Sequence, residues 1–342
     1  MTRSNLSNPT TKPRMGSARR KAMSLSQTDL VTINPLDPSR PLPYVIQPAI
    51  TDLNLVSWAA SHRDLITQHL RRVGGILFRN FQIKGTTDFE QFVQTVAGRL
   101  LHYSFGSTPR TQVQGQIYTS TEYPASEVIP LHNEMAYTRN WPMKIAFFCV
   151  QPAESGGVTP IADSRRIFQR LEPTLRDHLR DQQIMYIRNY GSGLDLSWQQ
   201  VFQTHDKTDV EAYCQKEGIE WEWQDDCLTT RQVCQAIATH PQTGEAVWFN
   251  QAHLFHISNL KPTIREALSL GEVFPRNAYY GNGDEIELAV LDAIRQAYAS
   301  ETIEFTWQAG DVLLLDNMLV AHGRMPFKGD RKMLVGMAEP GS

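Results

Sequence analysis

The chain has 342 residues, a formal net charge of −3, 41% hydrophobic and 20% charged residues. This composition supports a large core and supplies no excess of Lys and Arg for generic nucleic-acid binding. It also contains no apolar run near the roughly 20 residues that a membrane-spanning helix requires. The four cysteines (Cys149, Cys214, Cys227, Cys234) form no CxxC pair, which excludes a disulfide framework or zinc knuckle and points to a reducing, cytoplasmic setting.

Residues 1–40 read as a basic tail. Up to residue 28 there is no Asp or Glu, while Arg3, Lys12, Arg14, Arg19, Arg20 and Lys21 stand among many Ser and Thr. Such a stretch cannot bury enough apolar surface to order itself. It shares this composition with transit peptides, but no convincing amphipathic face supports that alternative. Residues 41–342 read as a single folded domain. Leu53, Leu55, Trp58, Leu65 and Leu70 give Ala49–Arg72 helical spacing, and Gly74–Arg79 follows as a glycine-led buried strand. Thr87–Val96 is expected to be a helix capped by Thr87, and Ile145–Val150 a core strand that buries Cys149. Ser164–Asp181 is helical and divides at Pro173. A helix over Ile286–Ser300 precedes three strands at Thr302–Trp307, Val312–Asp316 and Lys332–Met337. Strands mixed with helices and many turns suggest a sandwich or barrel decorated by helices. The GxGxxG, P-loop and G-x-S-x-G signatures are absent.

Two histidines stand out. In Pro130-Leu131-His132-Asn133-Glu134, an extended backbone puts His132 and Glu134 on one side, able to bind one metal. His322 follows the apolar strand Val312–Asp316 by a few residues, where a barrel mouth would lie. Two His and one carboxylate form the ligand set of non-haem Fe(II) oxygenases, which leaves open coordination positions. Either histidine alone reads more simply as a hydrogen-bonded loop or core residue.

Further residues join them. Gly156-Gly157-Val158-Thr159 leads into Asp163, and Arg331 lies nine residues after His322. With His-x-Glu, Gly-Gly-x-Thr, a distal His and a following Arg in that order, residues 74–338 resemble the taurine dioxygenase/TfdA family of Fe(II)/2-oxoglutarate oxygenases. Tyr118–Pro124, Leu131–Tyr137, Val247–Gln251 and Gly310–Arg324 are similar to the SyrP-like branch from syringomycin biosynthesis, mostly amino-acid hydroxylases. Clavaminate synthase is a more distant relative that also has Glu in its His-x-Glu pair. The resemblance implies a mainly β fold with helical inserts, the double-stranded β-helix or jelly roll. It implies Fe(II) held by His132, Glu134 and His322, with 2-oxoglutarate as cosubstrate and O2 as oxidant. Hydroxylation of a C–H bond would yield succinate and CO2.

A planar bidentate cation suits the far carboxylate of 2-oxoglutarate. Arg331 is the preferred anchor, Thr159 its hydroxyl partner, and Arg324 the rival anchor. Without the resemblance, Arg331 reads as a surface residue of the Lys328–Lys332 turn. Related halogenases have Gly or Ala where Glu134 stands, so the carboxylate argues for hydroxylation or desaturation. The expected substrate is an amino acid or a derivative of one, free or tethered to a peptidyl carrier protein. Ser120, Thr121, Asn133, Phe249 and Asn250 are expected near the pocket, and Asp316-Asn317 behind the loop that presents His322. The departure at Asn282, where Asp is expected, is assigned to a turn near the pocket. Trp221, Trp223 and Trp248 read as core or lid residues. Arg165, Arg166, Arg170, Arg176 and Arg180 read as a solvated basic face, with carrier-protein docking as the sharper alternative. Two other classes remain: a catalytically silent jelly-roll binding protein, and a non-redox metal hydrolase using the same ligands.

Overall fold

The computed structural model describes Met1 and residues 30–102, 105–106, 110–191, 195–262, 265–266 and 274–342. Two sheets carry the site. The larger has eight strands, in the order Val31–Asp37, Arg40–Pro48, Gly75–Phe78, Val312–Asp316, Trp141–Gln151, Lys332–Gly341, Ile117–Thr119 and Gln112–Gln114. The smaller has four, in the order Ile303–Phe305, Thr159–Asp163, Val320–Arg324 and Ile129–His132. This is the jelly roll expected from the resemblance.

The central strands are largely apolar because both faces are covered. In Val312–Asp316, Leu313 and Leu315 point into the space between the sheets, with Phe147, Ile161 and Val335. Val312 and Leu314 point outward onto a helical layer that includes Leu55, Trp58, Phe89 and Phe92. Cys149 is buried, as expected, with its thiol pushed up to about 12 by burial. A third core lies in the long insert between the smaller sheet's strands. There Glu220–Gln224, Cys227–Cys234, Ile184–Tyr190 and Arg276–Tyr280 form a separate antiparallel sheet packed by helices.

Several boundaries are corrected. The tail cannot extend to residue 40, because Val31–Asp37 pairs with Arg40–Pro48 in an antiparallel hairpin. Residues 2–29, which carry the tail's basic residues, lie outside the described residues. The expected helix over Ala49–Arg72 is two helices, Leu55–Ser61 and Arg63–Val73. The first begins only where the Asn54 side chain caps it. The helix placed at Thr87–Val96 runs from Gly85 to Ala97, so Thr87 lies inside it and is not its cap. The division at Pro173 holds: Ser164–Arg170 and Pro173–Gln182 are separate helices, with Pro173 in the first turn, where its missing N–H costs nothing. The last strand extends past Met337 to Gly341.

Candidate metal centre

The smaller sheet brings distant ligands together. Its strands Ile129–His132 and Val320–Arg324 run antiparallel, with His132 directly opposite His322. The chain turns just after His132, with Met135 in the left-handed region at φ +57°, and this places Glu134 beside both rings. The ligand atoms of His132, Glu134 and His322 all lie within 4.8 Å of one another, the one such three-residue group among the described residues. His322 Nε2 is 3.9 Å from Glu134 Oε2, and the two imidazole centroids are 4.7 Å apart.

Protonation suits metal binding. Burial lowers the pKa of both imidazoles, His322 well below its ordinary value. The positive charge of nearby Arg110 pushes both in the same direction. His132 Nδ1 lies 2.8 Å from the Pro130 carbonyl, a contact that requires hydrogen on Nδ1 and leaves the Nε2 lone pair to coordinate. The donor set of two neutral imidazoles and one carboxylate, placed at the end of a narrow pocket, fits a divalent transition metal.

Asn317 sets the position of Glu134. It is fully buried, accepts a 2.7 Å hydrogen bond from Glu134 N–H, and donates to the carbonyls of Glu134 (2.9 Å) and Pro142 (2.8 Å). Asp316 accepts from the backbone N–H groups of Met318 and Leu319, and its other oxygen lies 3.1 Å from His240 Nε2. The Asp316-Asn317 pair therefore supports the His322 loop as expected, and it also locks the Glu134 peptide.

Two contiguous cavities meet at the ligands. The narrower is lined by Arg110, Thr159, Trp307, His322, Arg324 and Arg331, among others. Thr159 Oγ accepts from Trp307 Nε1 at 2.8 Å, which leaves its own hydrogen to donate. Burial pushes the Arg331 guanidinium down to about 10, so it is still charged at neutral pH, and it lies against the Phe327 ring. The diglycine has a steric reason. Gly156 and Gly157 have φ +71° and +68°; a Cβ at Gly156 would sit 2.4 Å from the Pro326 carbonyl oxygen. At Gly157 it would sit 3.3 Å from Arg331 Nε.

Arg324, the rival anchor, is engaged differently from Arg331. It lines the narrow pocket, but its terminal nitrogens donate to the carbonyls of Tyr123 (3.0 Å), Pro124 (2.6 Å) and Glu127 (2.9 Å). This clamps the 123–127 loop, which forms a wall of the wider cavity. That cavity, of about 520 Å³, opens beside His132 and Glu134 and is also lined by Gln251, Phe255 and Arg276. An ion pair between Glu127 and Lys261 (2.8 Å) lies on its wall.

Other expected residues separate cleanly. Ser120 and Thr121 line the pocket. Asn133, Phe249 and Asn250 are fully buried behind it, and line neither cavity. Asn133 bonds Ser164 and the Asn317 carbonyl; Asn250 bonds the Ala236 carbonyl. Asn282 sits in an exposed turn bonded to Asp284, not at the pocket. Asp163 is structural, as expected, capping the helix that begins at Ser164. Trp248 is core, Trp223 packs edge-on against Trp198, and Trp221 is exposed. The arginine face is largely paired within the chain: Arg165 with Asp163 and Glu245, Arg166 and Arg170 with Glu301, and Arg180 with Asp177. Sequence reasoning missed Arg110, whose Nη2 lies 2.8 Å from Glu134 Oε2. It also missed Gln251, which holds the Asn133 carbonyl from the cavity wall. No motif flags Arg110; only the fold brings it to the ligands.

A jelly roll with two histidines and a carboxylate at one end defines the class of cupin-like metal proteins. Residues 35–338 match the family described as taurine catabolism dioxygenase TauD, TfdA, and the chain belongs to that family. It is 41% identical over 312 residues to the dapdiamide synthesis protein DdaC of Enterobacter agglomerans, covering 90% of this chain and 94% of the relative. It is 28% identical to a clavaminate synthase-like protein of Arabidopsis thaliana, covering 88% of this chain and 94% of that one. Among solved structures, PvcB from Pseudomonas aeruginosa is similar with a TM-score of 0.54 at 14% identity, covering 93% and 94% of the two chains. PvcB is an Fe, alpha-ketoglutarate dependent oxygenase from an isonitrile synthetic pathway. At this identity the likeness concerns the fold.

Proposed function

We propose that the protein is an Fe(II)/2-oxoglutarate-dependent hydroxylase of an amino-acid-derived substrate in natural-product biosynthesis. The observation that carries this reading is the junction of two cavities at His132, Glu134 and His322, one narrow and lined by cations, the other wide. When bound, iron with 2-oxoglutarate and O2 supplies the oxidising power to place oxygen in a C–H bond, with succinate and CO2 released. The chain's own part is positional. His132, Glu134 and His322 would hold the metal, a ligand set that leaves coordination positions for small ligands. Arg331 offers a forked cation to the far carboxylate of the cosubstrate, with the Thr159 hydroxyl beside it. The wider cavity presents the substrate C–H bond from the side of the 123–130 loop.

Kinship with a dapdiamide synthesis protein supports a biosynthetic setting. A cavity of about 520 Å³ leaves ample room around a free amino acid and suits an extended or carrier-tethered one. Among the described residues no helix is long and apolar enough to cross a membrane, and the thiols are unpaired, in keeping with a cytoplasmic setting. Glu134 supplies the carboxylate that halogenation chemistry would replace, so hydroxylation is the expected outcome. A metal hydrolase would leave the arginine-lined pocket without a task.

The test is anaerobic reconstitution with Fe(II) and 2-oxoglutarate, followed by visible absorption. A weak charge-transfer band that disappears in His132→Ala is expected, together with succinate release on adding O2 and candidate substrates. A well-folded protein that shows no band refutes the reading.

A further inference from the structure

The narrow pocket is lined by three arginines and, among its described lining residues, by no Asp or Glu. Arg324 is held by three backbone carbonyls. Arg331 lies at the end formed by Gly157 and Phe327. Arg110 lies at the opposite, metal end, where its Nη2 donates to Glu134 Oε2 at 2.8 Å. Both of these side chains are nearly sealed from solvent, at 3% and 5% exposure. The same oxygen of Glu134 is the one 3.9 Å from His322 Nε2, so it faces the ligand cluster. One carboxylate is thus shared between a buried guanidinium and any divalent cation held by the ligands. A carboxylate oxygen has lone pairs for both contacts. A guanidinium this close to the ligands repels a cation held by them and attracts an anion bound beside it, and burial strengthens both effects.

Resting on the iron/2-oxoglutarate reading, we propose that Arg110 is a second cationic pole of the cosubstrate pocket, recognising the keto-acid carboxylate at the metal end while Arg331 takes the far one. A dianion with one carboxylate at each end matches this arrangement. The positive charge of Arg110 opposes binding of the metal alone and favours binding of the metal together with an α-keto acid. Removing Arg110 strengthens metal binding, or leaves it unchanged, and weakens keto-acid binding. A residue that only held Glu134 in place would weaken both when removed.

The experiment uses the full chain with Arg110→Met and Arg110→Lys, checked for folding by circular dichroism. Mn(II) affinity is read from the electron paramagnetic resonance signal of free Mn(II). Affinity for 2-oxoglutarate and for pyruvate, an α-keto acid without the second carboxylate, is read anaerobically from the Fe(II) charge-transfer band. In Arg110→Met the Kd for Mn(II) stays level or falls, while the Kd values for both keto acids rise at least ten-fold. Arg110→Lys lies between this variant and wild type. In Arg331→Met only the 2-oxoglutarate value rises, approaching that of pyruvate. Keto-acid affinities within two-fold of wild type in Arg110→Met overturn the proposal, as does metal binding that weakens in step with them. Failure of the wild-type protein to give the band would instead overturn the iron/2-oxoglutarate reading beneath it.

Discussion

Asn317→Ala tests how the metal carboxylate is held. The side chain makes three hydrogen bonds of 2.7, 2.9 and 2.8 Å, all in a fully buried setting. Truncation strands the N–H and carbonyl of Glu134 and the carbonyl of Pro142. A typical intramolecular hydrogen bond contributes about 0.5–1.5 kcal/mol net, and an orphaned buried group costs about 1–3 kcal/mol. The Pro142 carbonyl has a second lone pair and water can enter the gap, so the realistic loss is about 3–5 kcal/mol. Against a total stability of about 5–15 kcal/mol, that is severe but survivable. Urea unfolding of the metal-free protein gives the stability loss from the shift in midpoint at constant slope. Mn(II) titration of the folded variant gives the effect on the site, expected to be a loss of about 10–100-fold because ligand supports commonly carry that much. Asn317→Asp keeps the acceptor for Glu134 N–H but loses both donations and sets a carboxylate against two carbonyls, so it should be no better than Ala. A stability loss below about 1 kcal/mol with unchanged Mn(II) affinity would show that Glu134 is held by something else.

Three further outcomes follow from particular contacts. Gly157→Ala forces a side chain into φ +68° and to 3.3 Å from Arg331 Nε, so it should raise the 2-oxoglutarate requirement several-fold in succinate assays; an unchanged requirement would detach the diglycine from the pocket. Arg324→Ala releases the 123–127 loop and leaves Arg331 in place, so substrate KM should rise about ten-fold or more while that for 2-oxoglutarate moves little; the reverse pattern would return the anchor role to Arg324. Burial pushes His253 down to about 3. Its neutral form therefore stabilises the fold above the ordinary imidazole pKa near 6.5, and that contribution is lost as pH falls from there toward 3, by up to ~1.4 kcal/mol per pH unit. His132 and His322 act in the same direction, so His253→Phe, which keeps a ring against Tyr298, should flatten the acid limb of a urea-midpoint profile without abolishing it; parallel limbs would count against the assignment.

The parts of the fold legible in the sequence were those whose physics is local. The apolar run at Val312–Asp316 reads as a strand and Pro173 as the division of a helical stretch, and both hold. The boundary at residue 40 failed because Val31–Asp37 alternates weakly and gains its order from pairing with Arg40–Pro48, a contact that composition does not record. At the centre, His132 and Glu134 were readable because two residues on an extended chain share a side. His322 became readable through the order of motifs that accompanies it. Arg110 was not, because the fold alone makes it adjacent to Glu134, and nothing in its own stretch announces a partner. Arg324 and Arg331 look alike in sequence. What separates them is their surroundings: Arg324 donates to three carbonyls, while Arg331 packs on the Phe327 ring and lines an acid-free pocket.

That last contrast carries a thermodynamic consequence. A buried guanidinium without a carboxylate is costly, and a fold can offset the cost in two ways. Arg324 has its two terminal nitrogens engaged by carbonyl oxygens, so ligand binding should change its contribution little. Arg331 packs on Phe327, and burial together with the charge of Arg324 pushes its pKa down to about 10, the sign of a cation in strained surroundings. If its role is to bind an anion, the ligand-free protein should gain stability when the charge is removed and the packing kept. Arg331→Met is therefore expected to be as stable as wild type or up to about 1–2 kcal/mol more stable without ligand, the usual direction when a functional strain is relieved. The order should reverse with cosubstrate: at a 100-fold excess over its Kd, 2-oxoglutarate with Mn(II) stabilises wild type by about 2.7 kcal/mol, and the variant should gain only the metal's share. Thermal unfolding of both proteins, with metal alone and with metal plus 2-oxoglutarate, measures each arm. A ligand-free variant clearly less stable than wild type would mean that Arg331 holds the fold together, and the case for it as the anion anchor would lose its physical basis.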